Sequence, residues 1–431
     1  MTAWPYIHNE NVKNIVRSDG CYLYQDDGKR LLDACGGAIV TNIGHGRHEV
    51  ADVVAKSTLN TGYVIPPWLT PEREALVERL TRDWLPPDMS HIHTTCGGSE
   101  GNEAAMKIAV QYHAAQGKTE KCKIVGRNVS YHGTTITTLA VGGHESRKTG
   151  LKHALQIHPS VEAPYLLRCE ASDPTAHYVQ QFIDGVEKED PATVAALIAE
   201  PITGASGGAL VPPDGYWDQV SAYCREHDIL IISDEVMTGY GRTGTRFGYQ
   251  HWDFEPDILV GGKGLAGGYA PITAVASKDR VAEHLASAGF DVMFHTFSAH
   301  PAACAAADKV LQILDEEDLV AQVKPKGEVL TTQLHGAFSN HPHVAEIRGK
   351  GLLQAIELVE NRDTLKSYDA KQRISGKVAN LALEKGVCFY PGGNGIVQDV
   401  LVIGPPYTIN EDQISEIVHK LSEAVDEVTL N

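Results

Sequence analysis

Two residues placed at the ends of apolar runs carry the first chemical signal. Ile229-Leu230-Ile231-Ile232-Ser233 leads into Asp234-Glu235-Val236, and Ile258-Leu259-Val260 leads into Gly261-Gly262-Lys263-Gly264. Short apolar runs closed by polar or glycine positions predict buried strands. The first therefore delivers a carboxylate at its end, and the second a single lysine set among glycines. An acid and an amine at the ends of consecutive strands are able to face one ligand. Such a ligand would offer a basic ring nitrogen to the acid and an aldehyde to the amine. Taken alone, a lysine such as Lys263 is more often a solvated residue at a strand end than a reactive amine.

A third signal is a place for an anion. The run Ser90-His91-Ile92-His93-Thr94-Thr95 predicts a strand, and Cys96-Gly97-Gly98-Ser99-Glu100-Gly101 then opens a helix. Free N–H groups and the positive end of the helix dipole favour an anion there. Ser99 adds a hydroxyl, either to the anion or as a helix cap. The pattern is neither G-x-G-x-x-G nor a P-loop, which disfavours dinucleotides and nucleoside triphosphates. His91 and His93 alternate on one strand face, but no third ligand lies near them in sequence, so a hydrogen-bonded pair is expected rather than a metal site. Tyr131, beyond the predicted strand Lys123-Ile124-Val125-Gly126, is placed to stack on a planar ring or to pack at the surface. Trp68, in the Pro-Pro-restrained stretch 63–68, reads as a pocket wall or as plain packing.

The elements that must position these groups follow from the pattern. The continuous apolar run Val194-Ala195-Ala196-Leu197-Ile198-Ala199 ends in Glu200-Pro201 and predicts a strand covered on both faces. Strands alternating with helices across 90–275 predict an α/β fold with a mostly parallel sheet, whose ligands sit at the carboxyl ends of the strands. Gly98, Ser99, Tyr131, Glu200, Asp234 and Lys263 all fall at such ends. A hairpin is expected over 20–32, helices over 47–59, 70–80 and 215–227, and an excursion over 145–175 that shapes the site. Beyond 300 the pattern changes to an α+β lobe, with helices at 301–316, 318–335, 368–386 and 410–428 and short strands between them.

Composition narrows the class. The 431 residues exceed what a single core commonly fills, and the net charge of −18, from 37 basic and 55 acidic residues, comes without a basic run. Neither nucleic acid nor an anionic membrane is expected as a partner. No apolar run is long enough to span a bilayer, and residues 1–8 lack the pattern of a signal peptide. The eight cysteines are scattered without a C-x-x-C pair, which fits a reducing, cytoplasmic compartment.

Gly98-Ser99-Glu100, Tyr131-His132-Gly133, Glu200-Pro201, Asp234-Glu235-Val236, Gly241-Arg242-Thr243-Gly244, Gly262-Lys263-Gly264 and Thr296-Phe297-Ser298-Ala299-His300-Pro301 stand in that order along the chain. In this the sequence resembles the class III aminotransferases, pyridoxal-phosphate enzymes of fold type I, and most closely their ω-amino acid and amine branch. The resemblance implies a large cofactor domain over 61–300 and a small α+β domain built from 1–60 and 301–431. It implies that Lys263 carries the cofactor's aldehyde and shuttles the proton, and that Asp234 holds the pyridine nitrogen protonated. It further implies that Tyr131 stacks on the ring and Val236 packs beneath it, with His132 and Glu200 beside the cofactor. Gly98 and Ser99 would hold the phosphate, helped by Thr296 from the other subunit of a homodimer whose active sites lie at the interface. Trp68 and Tyr390 are the expected substrate contacts. An amine or ω-amino donor and a keto-acid acceptor such as pyruvate would react in turn.

One departure bears on the substrate. Many relatives carry an arginine shortly before the Gly404-Pro405-Pro406-Tyr407 element, where it binds the acceptor's carboxylate or pairs with the glutamate matching Glu200. Here no arginine follows Arg373. A donor lacking an α-carboxylate is therefore expected, with any keto acid gripped by another group. Racemase, aminomutase and decarboxylating transaminase chemistry use the same acid and amine. A nicotinamide oxidoreductase or a non-catalytic binding module fits the motifs less well.

Overall fold

The computed structural model describes residues 13–290 and 294–430; residues 1–8, read above for a signal peptide, lie outside them. The chain opens with an antiparallel meander of β1 (Ile15–Asp19), β2 (Tyr22–Gln25) and β3 (Arg30–Asp33). This is one strand more than the expected hairpin, because β1 is largely exposed and carries no alternation that would announce it.

The central sheet comprises β4 (His91–Thr95), β5 (Lys123–Arg127), β6 (Ser160–Val161), β7 (Val194–Ala199), β8 (Leu230–Asp234), β9 (Ile258–Gly261) and β10 (Thr273–Ser277). Their spatial order is β4-β10-β9-β8-β7-β5-β6. From β9 to β6 all neighbours are parallel, while β10 runs antiparallel to both β9 and β4. Sequence patterning does not reveal β10, whose Thr-Ala-Val-Ala-Ser is short and composed of small residues.

The sheet buries both faces, as the apolar runs require. Ala196, Ile198, Ile232 and Val260 face the helix Gly98–Ala115 through Ala105, Ile108 and Ala109. Leu197, Ala199, Ile231 and Leu259 face the opposite layer with Trp217, Val220 and Leu311. The strand period of two thus feeds two separate cores from the same strands.

In the remaining part, β11 (Val344–Lys350), β12 (Leu353–Leu358), β14 (Tyr390–Gly392) and β15 (Val400–Ile403) form an antiparallel sheet ordered β11-β12-β15-β14, and β13 (Val387–Cys388) joins β3 in parallel. The helix expected over 368–386 is Ile374–Glu384. It cannot extend upstream because Arg373 holds φ at +49°, in the left-handed region. Arg242 ties the parts together: buried, it donates to the carbonyls of Leu352 at 3.1 Å, Pro405 at 2.6 Å and Thr41 at 2.9 Å. Among the described residues no helix is long and apolar enough to cross a membrane.

Candidate active site

A cavity of about 830 Å³ opens at the carboxyl ends of β5, β7, β8 and β9. Its walls include Gly98, Ser99, Tyr131, His132, Glu200, Asp234, Val236, Lys263 and Tyr390, so the strand-end groups converge as the fold class predicts. The meander side contributes Ala38 and Val40, and the C-terminal part contributes residues 390–393.

Asp234 terminates β8 and is held by three donors. Asn102 Nδ2 reaches its Oδ2 at 2.8 Å, His132 Nδ1 reaches the same oxygen at 2.7 Å, and the Val236 N–H reaches Oδ1 at 3.1 Å. An ionised carboxylate only accepts, so the His132 proton sits on Nδ1. Asn102 also donates to the His132 carbonyl at 2.9 Å, which locks the three residues in one arrangement. Asn102 was not visible in sequence: it lies one turn into the helix, between Gly101 and Glu103, where an asparagine carries no motif. The adjoining Glu235 points away from the cavity and accepts from the N–H groups of Gly248 at 2.7 Å and Tyr249 at 2.8 Å. It fixes the segment after the strand, and burial pushes its carboxyl up to about 7.

Lys263 follows β9 in the short 3₁₀ turn Lys263–Leu265 with φ at +40°. A non-glycine residue is rarely held there, and such strain concentrates at functional sites. Burial lowers its amine from 10.5 to about 8, against the opposing pull of the Asp234 and Glu200 carboxylates. Glu200 is itself buried and raised above the ordinary carboxylate range, mainly by desolvation. It accepts from the backbone N–H of Gly204 at 2.9 Å and of Tyr131 at 3.1 Å. Among the described residues no arginine pairs with its carboxylate, in keeping with the arginine-free C-terminal stretch; Arg127 donates only to its backbone carbonyl, at 3.2 Å.

The anion end lies at the start of the helix Gly98–Ala115, whose first N–H groups have no partner within the helix. The Thr134 N–H donates to Ser99 Oγ at 3.1 Å. Gly133, at φ +136°, brings the loop so close that a Cβ there would stand 2.4 Å from Ser99 Oγ. Glycine is required at that position. Gly98 is also closely placed, though less tightly, since a Cβ would meet Val236 Cγ1 at 3.0 Å.

These features fit pyridoxal phosphate. The helix start suits the phosphate, and the fixed Asp234 carboxylate suits a ring nitrogen. Tyr131 and Val236 stand in the wall for the ring, and a depressed amine is present for the aldehyde. His132 Nε2 and Asn102 Oδ1 are buried without partners, so the carboxylate-holding triad is not satisfied by protein groups alone.

Two expected contacts are elsewhere. Trp68 is 66% exposed and Thr296 is exposed, and neither lines the cavity of its own chain. They lie on one surface: the Tyr63 hydroxyl donates to the Thr296 carbonyl at 2.9 Å, and the Tyr63 ring meets Phe297 edge-on at 6.1 Å. The buried Arg73 guanidinium secures this surface from beneath, donating to the carbonyls of Val64 at 2.8 Å, Ile65 at 3.0 Å and Trp68. His91 and His93 do not bond each other; His91 Nδ1 meets Asp279 at 3.1 Å and His93 Nε2 meets His295 at 3.0 Å.

Residues 6–425 match the family model for aminotransferase class-III. The chain is 36% identical over 420 residues to YodT, an uncharacterized aminotransferase of Bacillus subtilis, covering 96% of this chain and 94% of that one. It is 31% identical over 438 residues to the putrescine–pyruvate aminotransferase of Pseudomonas aeruginosa, covering 99% and 93% of the two chains. Among solved structures, the (S)-enantioselective ω-transaminase from Thermomicrobium roseum superposes with a TM-score of 0.92 at 34% identity, covering 97% of this chain and 93% of that one. The protein belongs to the class-III aminotransferases and has their fold type I architecture. Enzymes of this family depend on pyridoxal phosphate.

Proposed function

We infer that this aminotransferase moves an amino group from an amine or ω-amino donor to a keto acid such as pyruvate, in two successive half-reactions at one site. The observation that carries this is the convergence of Asp234, Lys263 and the helix start at Gly98 on one cavity. When bound there, pyridoxal phosphate supplies an aldehyde and an electron-withdrawing ring that stabilises negative charge at the substrate carbon. Gly98 and Ser99 would hold its phosphate, and Tyr131 and Val236, both in the cavity wall, would confine the ring. Asp234, kept in one orientation by Asn102 and His132, holds a proton at the ring nitrogen. Lys263 moves the proton at the substrate carbon, and an amine lowered to about 8 is suited to that task near neutral pH. The relative acting on putrescine and pyruvate supports a donor without an α-carboxylate, as does the absence of any arginine after Arg373.

The working unit is a homodimer. Tyr63 (46% exposed), Trp68 (66%), Leu69 (76%), Phe294 (59%) and Phe297 (59%) make an apolar surface unusual for a lone chain. Pairing two copies through it would bring Trp68 and Thr296 toward the partner's cavity, where Thr296 assists the phosphate and Trp68 borders the substrate with Tyr390. The division into a large domain over 61–300 and a small domain from both chain ends is supported by the pairing of β3 with β13.

Steady-state rates with pyruvate across simple amines, ω-amino acids and α-amino acids test the assignment. Fast turnover of amines is expected. A strong preference for a dicarboxylic α-amino acid donor would refute it.

A further inference from the structure

A keto acid brings a carboxylate into the cavity, and the C-terminal stretch holds no arginine to receive it. The lining residues include one ammonium, Lys263, and one guanidinium, Arg147. Lys263 serves the reacting carbon, which leaves Arg147.

Arg147 lies in the 3₁₀ turn Glu145–Lys148, which follows the helix Ile136–Val141. Its guanidinium carbon stands 5.0 Å from the centre of the Tyr131 ring. Among the described residues its side-chain N–H groups make no hydrogen bond, and their edge is the one that takes a carboxylate in two parallel hydrogen bonds. Nearby acids do not occupy that edge. Glu145 pairs instead with Lys148 at 2.7 Å, and among the described residues no carboxylate pairs with Arg147. His144 beside it is held below the ordinary imidazole value by burial and by the charge of Arg147. The imidazole is therefore neutral near pH 7, and Arg147 supplies the positive charge of that wall. Residues 390–393, from the arginine-free C-terminal stretch, line the same cavity as Arg147.

We propose that Arg147, lying over the Tyr131 ring, grips the carboxylate of the keto-acid acceptor and takes over the role of the missing C-terminal arginine. The proposal rests on the transaminase function inferred above. It makes the 145–175 excursion a specificity element: charge selection moves from the C-terminal part to the turn after the helix Ile136–Val141.

The test compares holoenzyme with Arg147→Gln and Arg147→Lys, using one acceptor with a carboxylate and one without, and two inert ligands that differ only in the charged group. Pyruvate is set against butanal as acceptor, and butanoate against butanamide as a non-reacting ligand measured by calorimetry. In Arg147→Gln the KM for pyruvate and the Kd for butanoate are expected to rise roughly ten- to a hundredfold, the range for hydrogen bonds to a charged group. Butanal and butanamide should be unaffected, and Arg147→Lys should recover part of the loss. Equal losses for pyruvate and butanal, or butanoate binding unchanged in Arg147→Gln, would overturn the proposal. A wild-type protein that aminates neither pyruvate nor butanal would remove the transaminase function instead, and the butanoate-to-butanamide comparison would still decide the role of Arg147.

Discussion

Replacing Lys263 with methionine should stabilise the cofactor-free protein at neutral pH, by an amount that vanishes at high pH. The perturbation keeps the volume and the backbone at φ +40° and removes only the titrating amine. In the folded chain that amine is lowered from 10.5 to about 8. Each unit corresponds to about 1.36 kcal/mol, so the fall from 10.5 to about 8 corresponds to about 3.4 kcal/mol, reduced to about 2–3 kcal/mol because the amine faces an open cavity. The sign follows from proton binding. Between pH 8 and pH 10.5 the unfolded chain holds the Lys263 proton more tightly than the folded one, so the wild type gains stability as pH rises through that window. Below pH 8 the full penalty is present. For a chain of 431 residues, an unfolding entropy near 2.1 cal/mol/K per residue converts the difference to about 2–3 °C in Tm. Scanning fluorimetry of both cofactor-free proteins at pH 7, 8, 9 and 10 should show the Lys263→Met advantage nearly constant up to about pH 8 and shrinking at pH 9 and 10. A wild type more stable than the variant at pH 7, or a gap independent of pH, would refute the idea that the fold holds this amine under stress.

Three further outcomes follow from the same geometry. Asp234→Asn removes the charge that answers the ring nitrogen, and kcat is expected to fall on the order of 10³-fold or more, read in a single-turnover amine half-reaction. Asn102→Ala takes one donor from Asp234 and from the His132 carbonyl, so cofactor affinity measured by absorbance titration should weaken roughly tenfold to a hundredfold while the protein still folds. Leu69→Glu combined with Phe297→Glu places charges on the exposed surface without touching a core, and sedimentation velocity should show the protein shifting from dimer to monomer with activity lost in parallel.

The sequence made the strands of the central sheet legible wherever their surroundings forced a pattern. β7, β8 and β9 are buried on both faces, which demands unbroken apolar runs, and their ends announced Glu200, Asp234 and Lys263. β10 escaped notice because its small residues fit between neighbours without a strong signal. Asn102 and Arg147 escaped for a different reason: each is defined by what it touches across the fold, Asp234 in one case and the Tyr131 ring in the other. Trp68 shows a third limit. Its aromatic character was plain, but the fold leaves it at the surface of its own chain, away from the cavity.

The central claim is that Lys263 and Asp234 convert a fold type I cavity into an amino-transfer site. Visible absorption of the purified protein, loaded with pyridoxal phosphate and then mixed with an amine, tests it most directly. The wild type should be yellow, lose its visible band on adding the amine, and regain it on adding pyruvate, whereas Lys263→Ala should show no such cycle. A colourless wild-type protein that takes up no pyridoxal phosphate would contradict the account.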